Sequence, residues 1–181
     1  MMTGLLLSLA FVALTAGIML GAKFPRLWLA ANLAGALSAL VAALGVLSGN
    51  PELDWRSGFL LGDEALHFRL DGVSAVFLTL LAVASGAGAV YSREYWSDHH
   101  YPSSAPRGRA WWSALMLSMG LVLTVSNGLH FLIAWEVFAI CGYFLIVLEA
   151  KKPEVRKAGW LYLAASHAGT MGLFAFFTTL A

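Results

Sequence analysis

A glutamate and a histidine in otherwise apolar surroundings are the residues of this sequence with chemistry to offer. Glu136 lies near the middle of FLIAWEVFAICGYFLIVL and is the only formally charged side chain inside any of the six long apolar stretches. An acid at the centre of a bilayer costs about 2.5–3.5 kcal/mol on insertion scales, so such a group usually faces a partner, a wet cavity or an ion path. A carboxyl that can be charged or neutral suits proton transfer. His167, in LYLAASHAGTMGLFAFF, is equally deep in its own stretch, and an imidazole can pass protons at either nitrogen. At roughly 1.5 Å per residue, Glu136 lies about 10 Å below the outer end of its helix and His167 about 20 Å below the outer end of the next. A short loop joins the two helices, so antiparallel packing, with helix tilt and a few residues of play at the helix ends, can bring the pair within one or two hydrogen-bonded waters of each other. Tyr162, Ser166 and Thr170 recur at helical spacing near His167 and can hold water on that side.

Plainer roles exist for each residue. A protonated Glu136 can simply tie two helices together, and a membrane histidine often bridges helices through a hydrogen bond. His130, near the outer end of its stretch, reads as interfacial, and Cys141 as a small apolar filler. Two intramembrane histidines invite haem ligation, but His130 and His167 sit at unmatched depths. His99 and His100 lack the accompanying Cys or His spacing of a zinc site. Asp71, in HFRLDGVSAVF, suits capping of the helix that follows. Phosphate-binding glycine motifs, nucleophile triads and cysteine ligand sets are absent. No covalent or redox chemistry is assigned, and no cofactor or metal is expected.

The elements that must position these residues are membrane helices. With 60% hydrophobic and 12% charged residues among 181, and a mean hydropathy of +0.76, the chain lies outside the range of a soluble domain. A formal net charge of +1 argues against nucleic acid as a partner. Cys141 is alone and lies in an apolar span, so no intrachain disulfide forms. The first run has no Lys or Arg before Lys23 and lacks the basic region of a secretory signal. Spans are expected at 3–22, 27–48, 73–92, 111–128, 129–148 and 158–180, each close to the roughly 20 residues that cross a bilayer. The expected fold is an all-α polytopic membrane protein of six transmembrane helices, with membrane lipid around it.

Loop charge sets the expected orientation. Lys23 and Arg26 fall in the first loop, Arg93, Arg107 and Arg109 in the third, and Lys151, Lys152, Arg156 and Lys157 in the fifth. These loops should be cytoplasmic and both termini outside. The second loop, about 49–72, carries Glu52, Asp54, Asp63, Glu64 and Asp71 against Arg56 and Arg69. The third contains Trp96, Trp111 and Trp112 beside basic residues, as an interfacial anchor does. Small residues four apart, at Gly17/Gly21, Ala31/Gly35/Ala39 and Ala82/Gly86, mark close helix contacts. Pro51, Pro102, Pro106 and Pro153 are placed in loops and Pro25 between the first two spans.

Two stretches, HFRLDGVSAVFLTLLAVASGAGAVYSREYW and NGLHFLIAWEVFAICGYFLIVLEAKKPEVRKAGWLYLAASHAGTMGLFAFF, resemble the antiporter-like proton-pumping subunits of the complex I and Mrp antiporter superfamily. They are most similar to the large membrane subunit (component B) of hydrogenase-4 and formate hydrogenlyase. The Trp135-Glu136 pair, followed by small and aromatic residues and then a basic loop, carries the resemblance. It divides the chain into residues 1–65, two helices and an external loop, and residues 66–181, the start of a proton-translocating domain.

The resemblance implies that Glu136 pairs with a lysine on a broken seventh helix, and that proton uptake and release follow changes in that pairing. Hydrogen and quinone chemistry would belong to peripheral and membrane redox subunits of the complex, and the location would be the inner (plasma) membrane. The sequence stops at Ala181, before such a helix, so an amino-terminal fragment, a truncated product or half of a split subunit is expected, with the remaining helices as partners. Two other readings stand beside this one. The chain could be a non-conducting anchor or assembly scaffold, or a component of a cation/proton antiporter.

Overall fold

The computed structural model describes residues 2–180. Six helices dominate it: α1 (Met2–Leu20), α2 (Pro25–Leu47), α3 (Gly72–Tyr95), α4 (Ala105–Thr124), α5 (Gly128–Ile146) and α6 (Pro153–Leu180). A hairpin of β1 (Leu53–Leu61) and β2 (Glu64–Leu70) separates α2 from α3, and a single 3-10 turn, Val147–Glu149, follows α5. The chain is an all-α membrane protein in its spanning part. By length and composition α1, α2, α3 and the stretch Gly128–Glu149 are apolar enough to cross a membrane. The α4 helix, which takes in Arg107 and Arg109, and α6, with Arg156, Lys157 and several glycines and hydroxyl residues, fall short of that measure.

The ends of the helices follow from local chemistry. Asp71 caps α3 by accepting from Ser74 N at 2.9 Å, and Asn127 caps α5 by accepting from Leu129 N at 2.8 Å and His130 N at 3.3 Å. Pro25 and Pro153 open α2 and α6, and Pro106 lies in the first turn of α4. These prolines belong to helices and not to loops, because the first turn needs no proline N–H. The same extension corrects the third loop: Arg93 is in the last turn of α3, and Arg107 and Arg109 are inside α4. Long basic side chains permit this by reaching carbonyls at a helix end, as Arg107 does to Ser103 O at 3.0 Å.

The second loop is more ordered than its charge suggested. Gly62 and Asp63 both have φ of 63° and form a two-residue turn between the strands, the backbone state that a tight hairpin demands. The register runs from Leu61 opposite Glu64 to Leu53 opposite Leu70, with an irregularity between Arg56 and Leu60.

Helix α1 packs on α2 and α4, α2 on α3, and α4 on α5, while α6 rests chiefly against α5. The core is built from Leu7, Ala10 and Leu14 of α1, Ala39, Ala42, Ala43 and Val46 of α2, Ala75, Leu78, Leu81 and Ala82 of α3, and Met116 of α4. Alanine at so many core positions lets backbones approach, which matters in lipid, where helix association depends on close packing. The expected small-residue contacts occur: a Cβ on Gly35 would lie 3.2 Å from Ala10 O, and one on Gly21 2.9 Å from Ala110 N.

Charge separates along the bundle axis. Arg109 of α4 meets Gly21 O at 2.7 Å and Arg107 reaches Leu148 O at 3.5 Å, so the first, third and fifth connections share one end. At the other end Ser126 N donates to His67 O at 2.9 Å, Gly4 faces Leu53, and Gly128 faces Phe177. The acidic hairpin and both ends of the described chain therefore lie opposite the basic connections.

Candidate functional site

Helices α5 and α6 form an antiparallel hairpin in which residues equidistant from the Lys151-Lys152 turn meet. Gly159 packs on Val147 and Tyr143, and Gly142 packs so closely on Tyr162 that a Cβ there would collide with the phenol hydroxyl. Further along, the rings of Phe131 and Phe177 lie 5.7 Å apart. Between these contacts Glu136 Oε2 stands 3.4 Å from Nδ1 of His167. The pair is thus brought together directly, closer than the water-bridged separation inferred from helix rise. A proton can pass between carboxylate and imidazole at this range with slight approach.

The pair is not sealed. The Glu136 side chain is 32% exposed and that of His167 50%, on the flank of the bundle that carries the exposed Val137 and Ile140 of α5 and Leu161 and Met171 of α6. On the other side, Ala134, Ala139 and Cys141 bury α5. Beside Glu136, Trp135 stacks on Phe131 at 6.0 Å, and its buried indole N–H has no partner among the described residues. Of the polar residues around His167, Thr170 donates to Ser166 O at 3.2 Å and Tyr162 fills the glycine notch at Gly142. Ser166 and Tyr162 are half-buried.

His130, at the hairpin end of α5, is buried within the protein. Only 3% of it is exposed, and its Nε2 lies 3.0 Å from Leu61 O, which ties α5 to the β-hairpin. The hairpin covers the helix end and shields the imidazole. Cys141 is 2% exposed and free, as a small core residue would be. His99 and His100 contact each other edge to face, and His100 Nδ1 lies 3.0 Å from Ser97 Oγ.

A second polar constellation was not anticipated. Asn32 and Ser113 are fully buried, Trp28 is 1% exposed and Arg109 9%. Trp28 Nε1 donates to Arg109 O and to Ser113 Oγ, both at 2.9 Å, and Asn32 Nδ2 donates to Trp28 O and Ser113 Oγ at the same distance. The Arg109 guanidinium donates to Gly21 O through Nε and to Asp98 through a terminal nitrogen at 3.0 Å. The available signal was Asn32, an amide in the middle of an apolar run. In lipid such a group pairs with another helix.

No family model matches the sequence. Two uncharacterized Mycobacterium tuberculosis proteins, MT0090 of strain CDC 1551 / Oshkosh and Rv0083 of strain ATCC 25618 / H37Rv, are each 28% identical over 127 residues, 68% of this chain and 19% of the relative. A Staphylococcus saprophyticus protein (strain ATCC 15305) named as an antiporter subunit, mnhA2, is 29% identical over 92 residues, 51% of this chain and 11% of the relative. The chain resembles an antiporter subunit. This likeness is partial and distant, and the chain spans about a fifth or less of the length of the curated relatives it matches. It agrees in kind with a bundle of helices apolar enough to cross a membrane.

Proposed function

We propose that this chain is part of an ion-translocating, antiporter-like membrane subunit in which Glu136 and His167 hand on protons. The observation that carries the reading is the 3.4 Å approach of Glu136 Oε2 to His167 Nδ1 near the middle of α5 and α6. Acids at this depth are rare and usually functional. The likeness to mnhA2 supports transport of a cation or proton as the class of activity. In the proposed step Glu136 binds a proton arriving along its open flank, His167 accepts it at Nδ1, and Nε2 releases one toward the side of Ser166 and Thr170. The basic end of the bundle would face the cytoplasm, with the chain in the plasma membrane.

Such a subunit would work within a larger assembly of the hydrogenase-4 or complex I kind. Redox partners would supply the driving step, and additional helices would cover the α5/α6 flank and complete the ion path. The likeness to mnhA2 favours a second form of the same chemistry, exchange of a proton for another cation at Glu136.

The test is Glu136→Gln in the full subunit and complex, with proton movement followed in inverted membrane vesicles by a pH-sensitive dye. The reading expects transport to fall by about a hundredfold, the lower range for loss of a proton-transfer group, with the amount of assembled complex unchanged. Unchanged transport with weakened assembly would instead make Glu136 a helix tie and the chain a scaffold. Sodium dependence of wild-type transport separates the antiport form from the redox-driven one.

A further inference from the structure

At the basic end of the bundle, two adjoining cavities of opposite character share one wall. The first, about 420 Å³, lies where α2 begins, α3 ends and α4 begins, and its charged lining is Arg26, Arg93, Arg109 and Asp98. The second, about 380 Å³, is lined mainly by apolar and aromatic groups such as Tyr91, Trp112, Leu145 and Leu148. Trp28, Ser92, Trp96 and Arg109 line both.

The charges of the first cavity do not cancel. Asp98 is engaged by Arg109 at 3.0 Å, whereas Arg26 and Arg93 make no ion pair or side-chain hydrogen bond among the described residues and are exposed. The two free guanidiniums are planar, bidentate donors matched to a phosphate. Glu94, beside Arg93 in sequence, does not line the cavity. Trp96, on the shared wall, has a buried indole N–H with no partner among the described residues. A cationic chamber opening beside an aromatic, apolar one at a helix end matches the chemistry of a lipid, with the headgroup on the arginines and an acyl chain on the aromatic wall. Basic clefts between helices on one face of a membrane protein bind anionic headgroups in this way.

We infer that Arg26, Arg93 and Arg109 with Trp96 form a binding site for an anionic phospholipid, its phosphodiester held by the arginines and one acyl chain lying along Trp112 and Leu148. The site is independent of any role for Glu136. Arg109 also supports the fold through Gly21 O, so the informative variants are Arg26→Gln with Arg93→Gln, neither of which removes an ion pair or side-chain hydrogen bond among the described residues.

The experiment takes the chain from vesicles of equal parts phosphatidylglycerol and phosphatidylcholine into mild detergent and counts retained lipid by native mass spectrometry. Phosphatidylglycerol should be retained over phosphatidylcholine, and the double arginine variant should retain roughly thirtyfold less, the scale expected for two basic side chains at a headgroup. A charge-matched Lys151→Gln, Lys152→Gln variant should retain as much as wild type, and circular dichroism should show the same helix content in all three. Equal retention of the two lipids would overturn the site, as would an equal loss in the lysine variant, which would mark a diffuse surface field. Displacement of the lipid by inorganic phosphate, with the ion retained in its place, would make it a free-anion site and overturn the lipid assignment.

Discussion

Trp28 donates its indole N–H to Ser113 Oγ at 2.9 Å, across 85 residues of sequence, and the same hydroxyl lies 2.9 Å from Asn32 Nδ2 and 3.2 Å from Asn32 Oδ1. One buried oxygen thus joins α2 to α4, and Gly17 of α1 is pressed against it, because a Cβ there would stand 2.7 Å from Ser113 Oγ. The three helices are locked around a polar point in an apolar setting, where unmade hydrogen bonds find no water.

Ser113→Ala removes that point without adding bulk. Trp28 keeps Arg109 O and Asn32 keeps Trp28 O as acceptors, so the loss should be modest, about 0.6–1.7 kcal/mol on the scale measured for interhelical hydrogen bonds in a membrane protein. Reversible unfolding in mixed micelles, followed by tryptophan fluorescence, checks it. An unchanged midpoint would show that the network adds no stability.

Gly21→Ala should cost more, about 1–3 kcal/mol as for other overpacked contacts. The added Cβ would lie 2.9 Å from Ala110 N and 3.2 Å from Ala110 Cα, backbone atoms that cannot swing aside. Gly72→Ala is the control, since nothing lies within 4 Å of its added Cβ. The thermal midpoints of the two variants should separate clearly.

Glu136 and His167 should act as one unit. If protons pass between them, the Glu136→Gln and His167→Gln variants each lose most of the transport, and the double variant transports no less than the weaker single one. Strictly additive losses in vesicle assays would mean two independent roles.

Asp71 makes the stability of α3 depend on pH. Its carboxyl is held below the ordinary 3.8, first by the backbone N–H of Ser74. Because the folded state lowers its pKa, the capping contribution is present above 3.8 and is lost as pH falls through the lower folded value. Asp71→Ala should cost about 1 kcal/mol at neutral pH. The difference from wild type should shrink in acid below the folded value, as read from unfolding curves at several pH values.

Much of the fold follows from local chemistry and is legible in the sequence. Run length and hydropathy mark six helices, alternating loop charge puts the basic connections at one end, and Asp71 announces a helix start. The depth of Glu136 and His167 comes from counting along their helices, and the shortness of the Lys151-Lys152 turn makes those helices antiparallel neighbours. The β-hairpin was hidden by its charge, although Gly62-Asp63 between alternating residues was a turn signal. The reach of α4 back to Ala105 was hidden by its arginines.

The sequence by itself therefore determined the membrane setting, the helices and the depth of each polar residue along its own axis, because hydropathy and capping are local properties. Only the tertiary structure decided which residues share a contact. The 3.4 Å Glu136–His167 approach, the joining of Asn32 to Ser113 and the convergence of Arg26, Arg93 and Arg109 on one cavity depend on the rotation of each helix about its axis and on its neighbours. A helix that is apolar all round carries little pattern to set that rotation. Glycine notches and buried hydrogen bonds set it, and these exist only once the helices have met.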